Sequence, residues 1–323
     1  MNNSTTGQYA DVSTVRTAAD RFTDNVSRVI VGKEDVIQLC FVSLLCEGHI
    51  LVEDVPGIGK TTLARTVARS IEGSFRRVQC TPDLLPSDVT GIHYFNQKSS
   101  EFVFRPGPIV ANVVLVDEIN RATPRTQSSF LEAMQERQIT VDLETVELPR
   151  PFLVIATQNP VELEGTFPLP EAQLDRFLVR LAIGYPSADE ESQMLKRFQG
   201  SISPDSISSV IDGPTLMELQ KTCRSVFVDE TLRSYISGLC RATREDASVQ
   251  LGASPRAALA LQQSSQAYAA MHGRDYVLPD DVKAMAHAVL AHRLLLDTTA
   301  SLRGETSLSV IDRVLKTIAI PVE

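Results

Sequence analysis

The amino-acid sequence predicts an α/β fold: a parallel sheet with helices on both faces, followed by an all-α segment. Three observations predict it. Residues 113–116 and 152–156 are continuous apolar runs, as found in parallel strands buried on both faces. Helical segments separate such runs, notably over 127–136, which gives the alternation of a doubly wound sheet. Past Tyr185 and Pro186 the strand signals stop and helical ones continue.

In chain order, residues 1–12 are polar and read as a loose tail. Over 13–29 the residues Val15, Ala18, Ala19, Phe22, Val26 and Val29 recur three or four apart, which makes one helical face. Ile30, Val31 and Gly32 form a turn, and 33–46 is a second helix. The run 49–52 reads as a strand, Gly57 and Gly59 as a loop, 60–71 as a helix and 75–80 as another strand. Two stretches then break the rhythm. Over 92–105, Ile92 and Tyr94 alternate up to a polar turn at 96–100, and Phe102 and Phe104 resume the alternation. Over 138–148, Ile139, Val141, Leu143, Val146 and Leu148 alternate likewise. Each predicts a β-hairpin set into the α/β pattern. A further apolar strand covers 177–183. Helices follow over 189–198, 214–223, 229–244, 255–271 and 279–295, several opening on Asp or Pro as helix starts prefer. The stretch 199–213, rich in Ser, Asp and Gly, reads as a linker. The expected organisation is a tail at 1–12, a core over 13–185 and a helical lid over 186–323.

Composition narrows the function. The chain has 323 residues, 43% hydrophobic and 22% charged, as a globular protein does. Its formal net charge of -9 disfavours sequence-independent nucleic-acid binding, which needs Lys and Arg against phosphates. The first hairpin carries Lys98 as its only lysine and the second carries none. Five cysteines, an odd number without a C-x-x-C pair, read as buried free thiols, and the five histidines show no metal-ligand spacing. No apolar run approaches the ~20 residues of a membrane span, and the first residues lack the apolar stretch of a signal peptide. A cytoplasmic protein without membrane insertion is expected.

The strongest local motif is Gly57-Ile58-Gly59-Lys60-Thr61 after an apolar strand. Glycines let backbone N–H groups turn onto a phosphate, and the following helix adds the positive end of its dipole. Lys60 would reach the β- and γ-phosphates, and the Thr61 hydroxyl would ligate Mg²⁺. The strict pattern wants glycine at position 54, where this chain has Asp54. A second signal is the pair Asp117-Glu118 at the end of the apolar run 113–116. Ligands of open α/β sheets bind at such ends, and two acids there are costly to bury unpaired. Asp117 would hold the metal and Glu118 would polarise the attacking water. Third, the run 152–156 leads into Thr157-Gln158-Asn159-Pro160, an amide-rich strand end in register with the other two.

These motifs resemble those of the AAA+ ATPases, and among them the MoxR family. The resemblance spans about 31–322. It rests on Val31-Gly32-Lys33, on Leu51 through Thr61 with Glu53, Asp54, Val55, Pro56 and Ile58, on Asp117-Glu118-Ile119-Asn120-Arg121-Ala122, and on Ala156 through Pro160. Two later stretches also match: 169–177, which ends Asp175-Arg176-Phe177, and 252–257, which ends Pro255-Arg256-Ala257. In that family Asp at position 54 is ordinary. The resemblance implies ATP and Mg²⁺ as cofactors, with Thr62 in the nucleotide loop and Val31 and Gly32 lining the adenine pocket. It implies Asn159 as sensor 1, Arg176 as an arginine finger reaching a neighbouring subunit's nucleotide, and Arg256 as sensor 2. Arg121, close to the acid pair, is a further candidate. The hairpin at 92–105 matches the helix-2 insertion of this clade, and both hairpins face the central pore in related ring ATPases. The implied function is ATP hydrolysis that drives chaperone-like remodelling of a client protein, in a homo-oligomeric ring, a hexamer, beside a protein with a von Willebrand factor A domain. Two other readings stay open: a nucleic-acid motor, and a scaffold that binds nucleotide without turnover.

Overall fold

A computed structural model describes residues 11–142, 144–159, 165–199 and 203–320. In chain order the first elements are α1 (Ser13–Ser27), α2 (Glu34–Leu45), β1 (Ile50–Glu53), α3 (Lys60–Ser70) and β2 (Phe75–Gln79). The chain continues through α4 (Pro86–Thr90), β3 (Gly91–Asn96), β4 (Glu101–Pro106), β5 (Val113–Asp117) and α5 (Pro124–Glu136). Then come β6 (Gln138–Val141), β7 (Glu144–Glu147), β8 (Leu153–Gln158), α6 (Glu171–Leu174), β9 (Val179–Leu181) and α7 (Ala188–Gln199). The remainder is α8 (Gly213–Arg224), α9 (Glu230–Glu245), β10 (Val249–Leu251), α10 (Pro255–Met271), α11 (Pro279–Leu290), β11 (Leu295–Leu296), α12 (Thr298–Leu302) and α13 (Ser307–Thr317).

The main sheet is parallel, in the order β2-β5-β8-β1-β9. Its central strands are apolar up to their C-terminal ends because both faces are covered. Leu51, Val114, Val116, Val154 and Ala156 join one core cluster with Phe130, Leu131 and Met134 of α5. Ile50, Val113, Leu115, Leu153 and Ile155 are equally buried and point to the other face by the period of two. There α3 packs across β5 and β2 through Leu63, Ala64 and Val67. Both expected hairpins form, β3 with β4 and β6 with β7, each as a sheet of its own. Leu143, expected in the second, lies outside the described residues, as do 1–10 of the tail and Pro160. The two hairpins meet at His93, whose Nδ1 is 2.9 Å from Asp142 and Nε2 3.4 Å from Glu144.

The described chain divides into two compact units, 21–216 and 217–323 together with the first residues to Asp20. The first therefore runs past Tyr185. The stretch expected as a linker packs against α3 instead, where 203–213 is described. Ile207 and Ile211 are buried, Asp205 pairs with Arg65 at 2.9 Å, and the Val210 N–H donates to the Ser70 carbonyl at 2.9 Å. Two isoleucines anchor an otherwise polar segment. The second unit is helical, with Ser254 and Asp229 capping α10 and α9 through their side chains. It also holds one short antiparallel pair, β10 with β11, where strands were not expected; at two or three residues each, their alternation is too brief to stand out. Among the described residues no helix is long and apolar enough to cross a membrane. All five cysteines are free, and burial pushes the Cys40 and Cys80 thiols up to about 12.

One buried side chain ties the core together. His49, just before β1, has Nε2 3.0 Å from the Met134 carbonyl and Nδ1 3.0 Å from the Val154 N–H. The neutral ring protonated at Nε2 satisfies both. Burial, with the Arg137 charge second, pushes its pKa from 6.5 to about 3. The unfolded chain takes up this proton as pH falls through about 6.5, the folded chain only near 3. Its contribution is complete above that window and is lost across it, by up to about 1.4 kcal/mol per pH unit. Denaturant unfolding between about pH 7.5 and about pH 5 should therefore fall off more steeply in the parent chain than in His49→Gln. Equal slopes would contradict the assignment.

Candidate active site

The sheet order brings three strand ends together. β1 lies between β8 and β9, with Glu53 opposite Gln158, and β5 lies beyond β8, with Val116 opposite Ala156. From β1 the chain crosses to the far edge at β2, while β9 returns on the other flank. Crevices open at such switch points, outside the C-terminal strand ends. The loop 54–59 leaves β1 there. Gly57 and Gly59 have φ of 85° and 90°, a left-handed backbone that costs other residues energy. Gly59 caps α3 without any side-chain hydrogen bond, so the first amides of α3 face the loop, a ready anion site. Asp54 has no positive φ, which explains why glycine is not needed at 54. Its carboxylate accepts the Val55 N–H at 2.9 Å and the Gly184 N–H at 2.6 Å, which roots the loop to the segment after β9.

A cleft of about 370 Å³ opens over this loop, lined by Pro56, Gly57, Gly59, Lys60, Thr61, Thr62, Arg77, Gln79, Asp117, Glu118 and Asn159. Lys60 donates from Nζ to the Asp54 carbonyl at 2.7 Å. Burial draws its pKa below the ordinary lysine value, against the opposing pull of Asp117, Asp54 and Glu118. Thr157, at the end of β8, joins the acid pair: its hydroxyl donates to Asp117 Oδ1 at 2.7 Å and accepts the Glu118 N–H at 2.8 Å. Glu118 sits in a left-handed conformation, φ 56°. Its Oε2 accepts from Gln79 at 2.9 Å and from Arg121 at 3.2 Å. No hydrogen bond reaches its Oε1 among the described residues. A carboxylate and a hydroxyl in one cleft are the hard oxygen donors that Mg²⁺ prefers, so Asp117 and Thr61 fit a metal.

A second cleft, of about 730 Å³, shares Pro56, Gly57, Gly59 and Thr62 with the first. It is lined mostly by apolar side chains, among them Val31, Ile58, Ile183, Tyr185, Met194 and Leu195. The polar cleft suits phosphates and the apolar one a base. Gly32 is not in the lining, but packs so closely on Glu190 that a Cβ would lie 1.7 Å from its carboxylate oxygen. Next to it, Lys33 donates to the Tyr185 carbonyl at 3.0 Å, so the Val31–Lys33 turn is clasped to the start of α7. Two expected residues lie elsewhere. Arg176, after α6, lines a separate cleft with Glu132 and Glu136 of α5, and its Nε is buried without a hydrogen-bond partner among the described residues. Arg256 is exposed at the second position of α10, in the other unit.

Four contributors were missed by sequence reasoning: Arg77 and Gln79 on β2, Thr157 as the bridge between the acids, and Gly184. The spacing of Arg77 and Gln79 on a strand placed them on one face, but nothing in the sequence gave β2 its neighbour β5.

Residues 49–179 match the model of the ATPase family associated with various cellular activities (AAA), and 241–314 match the AAA lid domain. The chain is 48% identical to the uncharacterized protein YeaC of Bacillus subtilis, over 93% of this chain and 94% of that one. It is 42% identical to the chaperone MoxR1 of Mycobacterium tuberculosis, over 98% and 84%. The crystal structure of a candidate ATPase from Cytophaga hutchinsonii superposes with a TM-score of 0.90 at 36% identity, over 97% of each chain.

Proposed function

We propose that this chain, which belongs to the MoxR family of AAA+ ATPases, works as a homo-oligomeric ring that couples ATP hydrolysis to the remodelling of a client protein. The observation that carries the hydrolytic part is the single cleft holding Lys60, Thr61, Asp117, Glu118 and Asn159. In this reading the amides of the 54–59 loop and Lys60 bind the β- and γ-phosphates, and the apolar cleft at Val31 takes the adenine. Thr61 and Asp117 hold Mg²⁺, which supplies charge neutralisation at the terminal phosphates. Glu118, open at Oε1, accepts a proton from the attacking water. Asn159 orients that water, and Arg256 is assigned to sensor 2 by the family resemblance alone. Arg176 lines a cleft that shares no residue with its own nucleotide cleft, which favours its use by a neighbouring copy.

The remodelling part draws on the chaperone relative and on the first hairpin. Ile92, Tyr94, Phe95 and Phe102 are all exposed there, Phe102 by 73%, and the Phe95 and Phe102 rings meet edge to face at 5.4 Å. Exposed apolar patches mark interaction sites. A client segment is the proposed occupant, with a von Willebrand factor A domain protein as the working partner. A nucleic-acid motor is disfavoured by the net charge of -9.

Glu118→Gln tests the ring. The amide fits the site but cannot take the proton, so the variant should retain ATP and hold the assembled state. Light scattering with ATP and Mg²⁺ should find a hexamer, in keeping with closed cyclic symmetry. A monomer that has ATP bound would contradict the ring.

A further inference from the structure

We propose that Arg77 is the exchangeable counter-ion of Asp117: it holds this carboxylate while the site lacks a metal, and a divalent metal must displace it. The inference rests on reading Asp117 as a metal ligand. β2 is the edge strand of the main sheet and pairs in parallel with β5, with Gln79 opposite Asp117. Arg77, two residues earlier, shares a face with Gln79. Its guanidinium donates to Asp117 Oδ2 at 2.6 Å and to Gln79 Oε1 at 2.9 Å. Asp117 Oδ1 is already engaged by the Thr157 hydroxyl at 2.7 Å. Each oxygen of the carboxylate thus has a donor, and one of the two donors is a cation. A hydroxyl can turn away or share its oxygen. A guanidinium cannot share one with a divalent cation without like-charge repulsion.

The burial pattern shows which cation is built to leave. The Asp117 side chain is 16% exposed and that of Arg77 is 48%. The acid is fixed at the end of an apolar strand and is costly to leave without a counter-charge. The arginine reaches in from an exposed edge, and an ion pair so open to water exchanges readily. Arg77 also lines the same cleft as Lys60 and Thr61.

The test is metal binding rather than turnover. Mn²⁺ serves as the probe, read by the electron paramagnetic resonance of the free ion, with ADP saturating. Removing a competing cation should tighten the metal. The Mn²⁺ midpoint of Arg77→Ala should fall by about 2- to 5-fold, the scale of a partly exposed charge pair. A side chain that merely supports the site would loosen it on removal, so the sign separates the two roles. In an Asp117→Asn background the Arg77 substitution should have no effect, because the competition is for that carboxylate. Should Arg77→Ala misfold, as a lost thermal unfolding transition would show, Arg77→Gln takes its place, since it keeps the length of the side chain and drops the charge. An unchanged or raised midpoint, with Asp117→Asn weakening Mn²⁺, would overturn the exchange and leave Asp117 as a ligand. No effect of Asp117→Asn on Mn²⁺ would overturn both.

Discussion

Arg176→Ala should bind ATP with near-parent affinity and hydrolyse it about 10³- to 10⁵-fold more slowly, the range seen when an arginine is supplied to a phosphoryl-transfer site from a neighbour. The residue is set for such a role by what it does not do in its own chain. Its Nε is buried without a partner among the described residues, which is costly for a polar group and calls for a reason. Its cleft is formed with Glu132 and Glu136 on α5 rather than with Lys60 or Asp117. The charge that the terminal phosphate already carries is redistributed as the transition state is reached. An arginine that meets it there slows chemistry when lost and leaves ground-state binding alone. Phosphate release with nucleotide binding measured on the same sample separates the two. Equal losses in affinity and rate would place Arg176 on the bound nucleotide from the start.

The second large effect is at the loop. Lys60→Ala should weaken ATP binding by about 10- to 10²-fold or more, since a hydrogen bond to a charged group is worth roughly 1.5–3 kcal/mol and the site is half-buried. Lys60 is the cation held over the loop, with its ammonium on the Asp54 carbonyl. It has only to turn from that carbonyl to meet a phosphate. The acids opposite leave a bound polyphosphate with no other loop charge in its favour, so alanine exposes the nucleotide to the repulsion of Asp117 and Glu118. Binding is measured by titration of a fluorescent ATP analogue. Affinity within a few fold of the parent would remove Lys60 from the phosphate site.

The central strands were legible because both faces of the sheet are covered. Val113–Val116 and the 152–156 run leave no polar position to hide them, and the strand ends they deliver carry Asp117 and Asn159. The hairpins were legible from their alternation but their faces were not: Ile92 and Tyr94 pair with Arg105 and Val103, Phe102 and Phe104 with Phe95 and His93, so the four lie on opposite faces, and Ile92, Tyr94 and Phe102 are exposed. Contacts between residues far apart were not legible. Asp54 meets Gly184, Lys33 meets the Tyr185 carbonyl and Arg77 meets Asp117 only because β1, β2 and β5 take their places in the sheet, and strand order has no local signature. The segment before α8 misled for a related reason: its Ser and Asp content signals a linker, while two of its isoleucines are buried and its backbone bonds to Ser70 of α3. Arg176 was singled out by resemblance alone. The acidic cleft around it is a property of the fold.

In the proposed ring, one working site draws Lys60 from one copy and Arg176 from the next. Mixing Lys60→Ala with Arg176→Ala tests it most directly, with subunit exchange confirmed by labelled chains. Neither variant alone should release phosphate at an appreciable rate. In mixed rings an intact Lys60 can sit beside an intact Arg176 of its neighbour, and activity should return in part. If both residues served the site of their own chain, every copy would carry one broken part. Rings that exchange subunits and still release no phosphate would contradict the shared site.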